Sequence, residues 1–268
     1  MIRKPVVAGM FYPLNRDNLN EKLSGLFGGV KPGDFICVVS PHAGYEYSGK
    51  TSAHAIGSLR PARSFIILGP NHNSLGSEFS VMSSGEWETP LGNIEIDNGL
   101  ANEIKKCDAI EEDEFAHTHE HSVEVQLPFL QYVFKKFRFV PISISNAGYS
   151  DDFLRKCETL GKQIAKTIRN KNVGVIASSD FSHYLPRELA DEKDRKAIEK
   201  ILKLDTKGFL RVLEEIDASV CGYGPIAVVM CIAKELGLKT AKVIDHTDSG
   251  DITGDESSVV SYYAIGFK

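Results

Sequence analysis

The sequence predicts an α/β fold with a mixed, mainly parallel central sheet flanked by helices. Three observations lead there. Short β-branched runs alternate with longer amphipathic stretches along the chain. Several of those runs are almost continuously apolar, the pattern of strands buried on both faces. Strands separated by helices, in turn, imply crossover connections, which build parallel sheets covered on both sides.

In chain order, the strand candidates are Phe35–Ser40, Ser64–Gly69, Phe79–Ser83, Asn93–Asp97, Arg138–Ile144, Val173–Ser178, Lys242–Asp245 and Val259–Ile265. Ser150 is placed to cap a helix, and Phe153, Leu154, Cys157, Leu160, Ile164 and Ile168 then recur at helical spacing. Asp205 is placed to cap a second helix carrying Phe209, Leu210, Leu213 and Ile216. A third opens at Pro225, a good first-turn residue, and runs to about Leu236, where Gly237 is the stop signal.

Composition excludes several function classes. The chain has 268 residues, 42% apolar and 25% charged, enough apolar material for one large core without disulfide staples. No repeat, low-complexity tract or linker divides it, so a single domain over 1–268 is expected. The longest uncharged apolar stretch, Pro225–Ala233, is too short to span a membrane. Arg3 and Lys4 resemble the charged start of a signal segment, but Pro13 interrupts the apolar run that should follow. With a net charge of −5, the chain lacks the basic field that binds nucleic acid or anionic lipid. Cys37, Cys107, Cys157, Cys221 and Cys231 are odd in number and lack CxxC spacing, which argues against a disulfide framework and for a cytoplasmic setting.

The histidines carry the chemistry. His42 follows the first strand candidate in Ser-Pro-His-Ala-Gly-Tyr, His72 follows the second in Gly-Pro-Asn-His-Asn, and His183 follows Val173–Ser178 in Ser-Ser-Asp-Phe-Ser-His-Tyr. One histidine after a strand is ordinarily a polar loop residue. Three at the carboxyl ends of strands stand where open α/β sheets bind ligands, and converging neutral imidazoles begin a transition-metal site. Cys221 lies in a Gly-rich turn just before the Pro225 helix, where a thiolate is stabilised; buried as a small hydrophobe, as Cys231 is expected to be, it would have no such role. Two imidazoles and a thiolate suit Fe(II), Zn²⁺ or copper alike.

Between Glu111 and Glu124, His117, His119 and His121 alternate among acidic residues. A solvated acidic loop is expected for His117 and His119, whereas His121 and Glu124 are expected to share the first turn of a helix over Val125–Phe134, one face toward a cleft. Gly44–Thr51 spells the phosphate-loop pattern GxxxxGK[ST]. Two tyrosines and Glu46 stand where that loop needs small residues, so the match is read as fortuitous.

Taken together, six motifs resemble the Memo family. They are Ala8-Gly9-Met10-Phe11-Tyr12-Pro13, Pro41-His42-Ala43-Gly44-Tyr45, Leu68-Gly69-Pro70-Asn71-His72, Glu120-His121-Ser122-Val123-Glu124, Ser178-Ser179-Asp180-Phe181-Ser182-His183, and Cys221-Gly222 with Pro225-Ile226. The closing Ser257–Tyr262 fits as well, so the likeness runs from near residue 8 to near residue 266. In microbes the family is also called component B of the AmmeMemoRadiSam system. The resemblance implies a fold similar to class III extradiol dioxygenases, which use non-haem Fe(II). It implies His42, His72 and Cys221 as metal ligands, His183 as an acid–base histidine, and Asp180 and His121 in the same pocket.

One departure has chemical weight. Those dioxygenases complete their site with a carboxylate where this chain has Cys221, and a thiolate favours softer or more oxidised metals. Catechol cleavage therefore does not carry over. The resemblance supports an iron-dependent redox enzyme acting on a small molecule, with copper or zinc as alternative metals. Two other classes compete: a binding or scaffold protein that recognises an anionic peptide, and a metal-dependent hydrolase. Other AmmeMemoRadiSam components are the expected protein partners.

Overall fold

A computed structural model describes residues Met1–Lys268. Its strands are β1 (Ile2–Arg3), β2 (Cys37–Ser40), β3 (Ser64–Asn71), β4 (Phe79–Val81), β5 (Glu86–Thr89), β6 (Gly92–Glu95), β7 (Glu111–Glu112), β8 (Arg138–Ser145), β9 (Val173–Ser178), β10 (His183–Leu185), β11 (Ala241–Asp248) and β12 (Val259–Phe267). Nine of them form one sheet in the order β10-β12-β2-β9-β3-β8-β4-β7, with β11 paired to β12. The central β2, β9, β3 and β8 are mutually parallel, whereas β12 and β4 flank them antiparallel. This is the α/β fold with a mixed sheet that the runs predict; the sheet is parallel through its centre, and four of its eight strand pairings are antiparallel.

The parallel centre is apolar because both of its faces are covered. Every residue of β2 and β9 is buried, as are Phe65–Asn71 of β3. From β2 the chain steps over β9 to reach β3, and from β8 it steps back over β3 to reach β9. Right-handed crossovers in opposite directions need helices on opposite faces. Accordingly, the helix Gly49–Gly57 packs with Arg16–Leu26 and Leu127–Phe134 in one layer, and Asp151–Ile168 packs with Tyr223–Glu235 in another. The reversal leaves a crevice beyond the carboxyl ends of β2, β9 and β3, where loops can diverge.

The caps behave as their chemistry requires. Ser150 Oγ accepts the Phe153 amide at 3.1 Å, and the six spaced apolar residues from Phe153 to Ile168 are all buried. Asp205 Oδ1 accepts the Gly208 amide at 2.9 Å. The third helix begins at Tyr223, two residues before Pro225, and is buried continuously through Ala233 where it lies across the sheet. Gly237 follows it with φ 71°, the left-handed geometry that favours glycine there.

Two departures from expectation bear on the main sheet and its covering. Asn93–Asp97 does not join the main sheet: Gly92–Glu95 pairs instead with β5 in a small sheet ordered β1-β5-β6. Its burial pattern exposes three of four residues, which suits an edge hairpin rather than a core strand. The helix Arg187–Leu202 has no matching expectation, because it is mostly charged and buries only Ala190, Asp194, Ala197, Ile198 and Ile201. No helix is long and apolar enough to cross a membrane.

Candidate metal centre

Strand ends and one helix start bring the donors together. His42 leaves β2 after Pro41, His72 leaves β3 after Asn71, Asp180 and His183 follow β9, and Cys221 precedes the helix at Tyr223. Ligand atoms of His42, His72 and Cys221 all lie within 4.8 Å of one another. Two further groups share that limit and overlap the first: His72 with Glu120 and His121, and Cys221 with Asp180 and His183. All six sequence-derived residues therefore meet in one crevice.

Close backbone approach makes the crevice narrow. A Cβ on Gly222 would lie 2.4 Å from the Ser178 carbonyl oxygen and 2.5 Å from Ser179 Cβ. Only glycine lets the turn carrying Cys221 rest on the end of β9. Gly69 plays the same part for β3, where a Cβ would come 2.3 Å from Ser122 Oγ. The Asp180 amide then donates to Cys221 Sγ at 3.2 Å, and Sγ stands 3.3 Å from His42 Nε2.

Each side chain has a partner that aims it. Glu120 Oε1 accepts the His72 Nδ1 proton at 3.0 Å, and Oε2 accepts the His72 amide at 2.6 Å. A carboxylate only accepts, so Nδ1 carries the proton and Nε2 of His72 presents its lone pair. The Ser219 carbonyl does the same for His183, whose Nδ1 stands 2.8 Å away, leaving Nε2 as the basic nitrogen. Asp180 Oδ1 accepts the His42 amide at 2.9 Å. His121 stacks on His72 with ring centroids 4.8 Å apart, and Phe11 meets His121 edge-on at 4.9 Å.

Electrostatics follow burial. Burial drives the His42 pKa well down, with neighbouring imidazoles adding to the effect, so the ring is neutral and ligand-ready. Burial also lowers His121 against the pull of Glu120. For His72 burial acts downward too, but the bond and charge of Glu120 outweigh it and the pKa rises. Glu120 itself is buried, yet its His72 bond and charge partners take it down to about 2. Burial, reinforced by Asp180, pushes the Cys221 thiol well up; a bound cation would reverse that, since it deprotonates a coordinating thiol. The donor set of two imidazoles and a thiol thus fits a transition metal.

A model of the family described as "Memo-like protein" matches residues 3–266. The chain belongs to the Memo-like protein family. A MEMO1 family protein of Methanosarcina barkeri is 44% identical, covering 98% of this Memo-like chain and 99% of its own. Others from Methanopyrus kandleri (40%) and Sulfurisphaera tokodaii (43%) each cover 100% of this chain and 99% of their own. Among solved structures, an uncharacterized protein from Escherichia coli K12 matches with TM-score 0.53 at 12% identity, over 87% of this chain and 99% of that one. The last likeness is one of fold.

Two expectations about the Memo-like chain need correction. His117 is not in a solvated loop: it is buried, with neither ring nitrogen bonded, its ring edge-on to Trp87 at 5.9 Å. Burial and the Arg3 cation bring its pKa to about 3, so it stays neutral. His119 is exposed as expected. Glu124 does not face the cleft beside His121. It turns inward, pairing with Arg3 at 2.8 Å and accepting from Tyr12 Oη at 2.7 Å and from the Val6 and Val7 amides. The phosphate-loop match is fortuitous in space as well: the Tyr45, Tyr47 and Ser48 amides are spent on Phe11 and Gly44 carbonyls, and Lys50 is exposed. Sequence reasoning assigns no role to Glu120, which aims His72, or to Ser178 and Gln126, which hydrogen-bond each other beside the His42 ring.

Proposed function

We propose that this protein is a metal-dependent redox enzyme that holds iron through His42, His72 and Cys221 and turns over a small organic substrate with dioxygen. The observation that carries the proposal is convergence: three side chains able to donate to a metal and a separately oriented histidine meet at the carboxyl ends of parallel strands. Iron held by His42, His72 and Cys221 would supply redox chemistry toward dioxygen. His183, with its Nδ1 proton spent on the Ser219 carbonyl, accepts and returns a substrate proton at Nε2. Asp180 fixes the His42 backbone from one wall, and Phe11 and His121 form the other.

The test is elemental analysis of protein purified without oxygen. Near-stoichiometric iron is expected in the wild type and in His183→Gln, and loss of iron in Cys221→Ser. Dioxygen uptake with candidate substrates should fail in both variants. Zinc retained with indifference to oxygen would favour hydrolysis instead. Absence of any metal after Fe(II), Cu(I) and Zn²⁺ are offered would overturn the proposal in favour of a binding protein.

A further inference from the structure

A carboxylate sets the tautomer of His72 and a carbonyl sets that of His183, because both can only accept. His42 differs. Its Nδ1 stands 2.9 Å from Ser178 Oγ, and a hydroxyl can donate or accept. Either ring nitrogen of His42 could then carry the proton, and only one choice leaves a lone pair on Nε2, the nitrogen nearest Cys221.

The neighbours of Ser178 decide between them. Its oxygen lies 2.7 Å from the Ser122 carbonyl and 2.9 Å from Gln126 Nε2. The orientation of the Gln126 amide is fixed independently: Nε2 faces the Pro41 carbonyl at 2.8 Å, and Oε1 accepts from Ser40 Oγ at 2.8 Å. Gln126 is therefore a donor toward Ser178. A hydroxyl has one proton and two lone pairs. The proton goes to the Ser122 carbonyl, which can take nothing else, and Gln126 fills one lone pair. The remaining lone pair can only receive a proton from His42 Nδ1. The opposite tautomer would turn the Ser178 proton toward His42 and forfeit its bond to Ser122. Ser40, Ser122, Gln126 and Ser178 are all fully buried, so water cannot replace what is lost.

We infer that Ser178 is a positioning residue that holds His42 as the Nδ1–H tautomer, with the Nε2 lone pair committed to the site. The inference rests on His42 being a metal ligand only for its consequence, since the tautomer itself belongs to the metal-free protein. It assigns β9 a second task. Besides ending beside Asp180, the strand delivers from its last residue the group that readies a side chain just past the end of the neighbouring strand β2.

Nitrogen-15 NMR of the metal-free protein, reading the His42 ring nitrogens, tests this directly. Wild-type protein should show Nδ1–H alone, and Ser178→Ala should show substantial Nε2–H. Gln126→Leu removes a donor without freeing the Ser178 proton, so it should keep Nδ1–H. Cobalt(II) binding, followed by its thiolate absorption band, should weaken about 10- to 100-fold in Ser178→Ala, with recovery in Ser178→Thr. Finding Nε2–H in the wild type overturns the inference, even if Ser178→Ala fails to fold. So does an unchanged tautomer in folded Ser178→Ala. A changed tautomer with unchanged cobalt affinity, or no cobalt binding by the wild type, leaves the inference standing and refutes His42 as a ligand.

Discussion

Replacing Glu120 by Gln separates the scaffold of the site from its chemistry. Both carboxylate oxygens of Glu120 accept N–H groups: Oε1 takes His72 Nδ1 and the His121 and Ser122 amides, and Oε2 takes the His72 amide. A glutamine offers one oxygen, so its NH₂ must face a donor whichever way it turns. The carboxyl titrates near about 2 in the folded chain against an ordinary 4.5. At about 1.4 kcal/mol per pH unit, that difference is worth roughly 3 kcal/mol of stability at neutral pH. The His72 shift is the same interaction seen from the other partner and is not added. Because the folded pKa is depressed, this stability is present above pH 4.5 and is lost as the pH falls through about 2. For a chain of this size, ~3 kcal/mol lowers the melting temperature by roughly 6–12 °C.

The assay is urea unfolding of chelator-treated wild type and Glu120→Gln at pH 7 and pH 3. The gap should be about 3 kcal/mol at pH 7 and about half that at pH 3. Cobalt affinity should fall about 10- to 100-fold as His72 loses its orienting acceptor. A gap under about 0.5 kcal/mol at pH 7, or one that does not narrow on acidification, would refute the assignment of Glu120 as the anchor of His72.

Other perturbations separate the remaining supports. Gly222→Ala drives a Cβ into the Ser178 carbonyl, so about 1–3 kcal/mol of stability should be lost, with a weakened cobalt–thiolate band. Arg3→Met strands the buried Glu124 carboxylate and should cost about 3–5 kcal/mol in urea unfolding, against about 1–2 kcal/mol for Tyr12→Phe. Asp194 is buried with Oδ2 unpaired, and burial lifts its pKa to about 6. A raised carboxyl pKa favours folding below 3.8 and loses that benefit as the pH rises through 6, so Asp194→Asn should gain about 1–3 kcal/mol at pH 7 and nothing at pH 3.5.

The donors were legible because local chemistry punctuates them. Pro41 and Asp180 stand just past the ends of β2 and β9, Pro70 is the last but one residue of β3, and a side chain just beyond such a stop has only the rim to occupy. The orienting residues were not legible, for different reasons. Glu120 sits in an acidic stretch whose composition reads as solvated; it is buried only because the loop after β3 folds over it. Ser178 and Gln126 look like ordinary strand and helix polar residues, and their meaning lies in partners far along the chain. Glu124 was misread because a 3-10 turn over Glu124–Gln126 breaks the helical phase assumed for it. A hydrophobic stripe could not reveal Arg187–Leu202 for a different reason, since that helix is mostly charged and buries few apolar side chains.

His42 and Cys221 touch across 179 positions of sequence. Three connections between parallel strands separate them, β2 to β3, β3 to β8 and β8 to β9, so the pair meets only after those strands have been threaded in order. Closing so long a loop is slow and must precede any reward from the contact. During synthesis the two imidazoles emerge early and wait for most of the chain. A metal ion held by these three side chains could therefore not template the sheet; it would have to be loaded into a finished one. Occupancy of the site by a metal would consequently report on the integrity of the whole chain, and a fragment ending before residue 221 would leave the imidazoles without the Cys221 thiol.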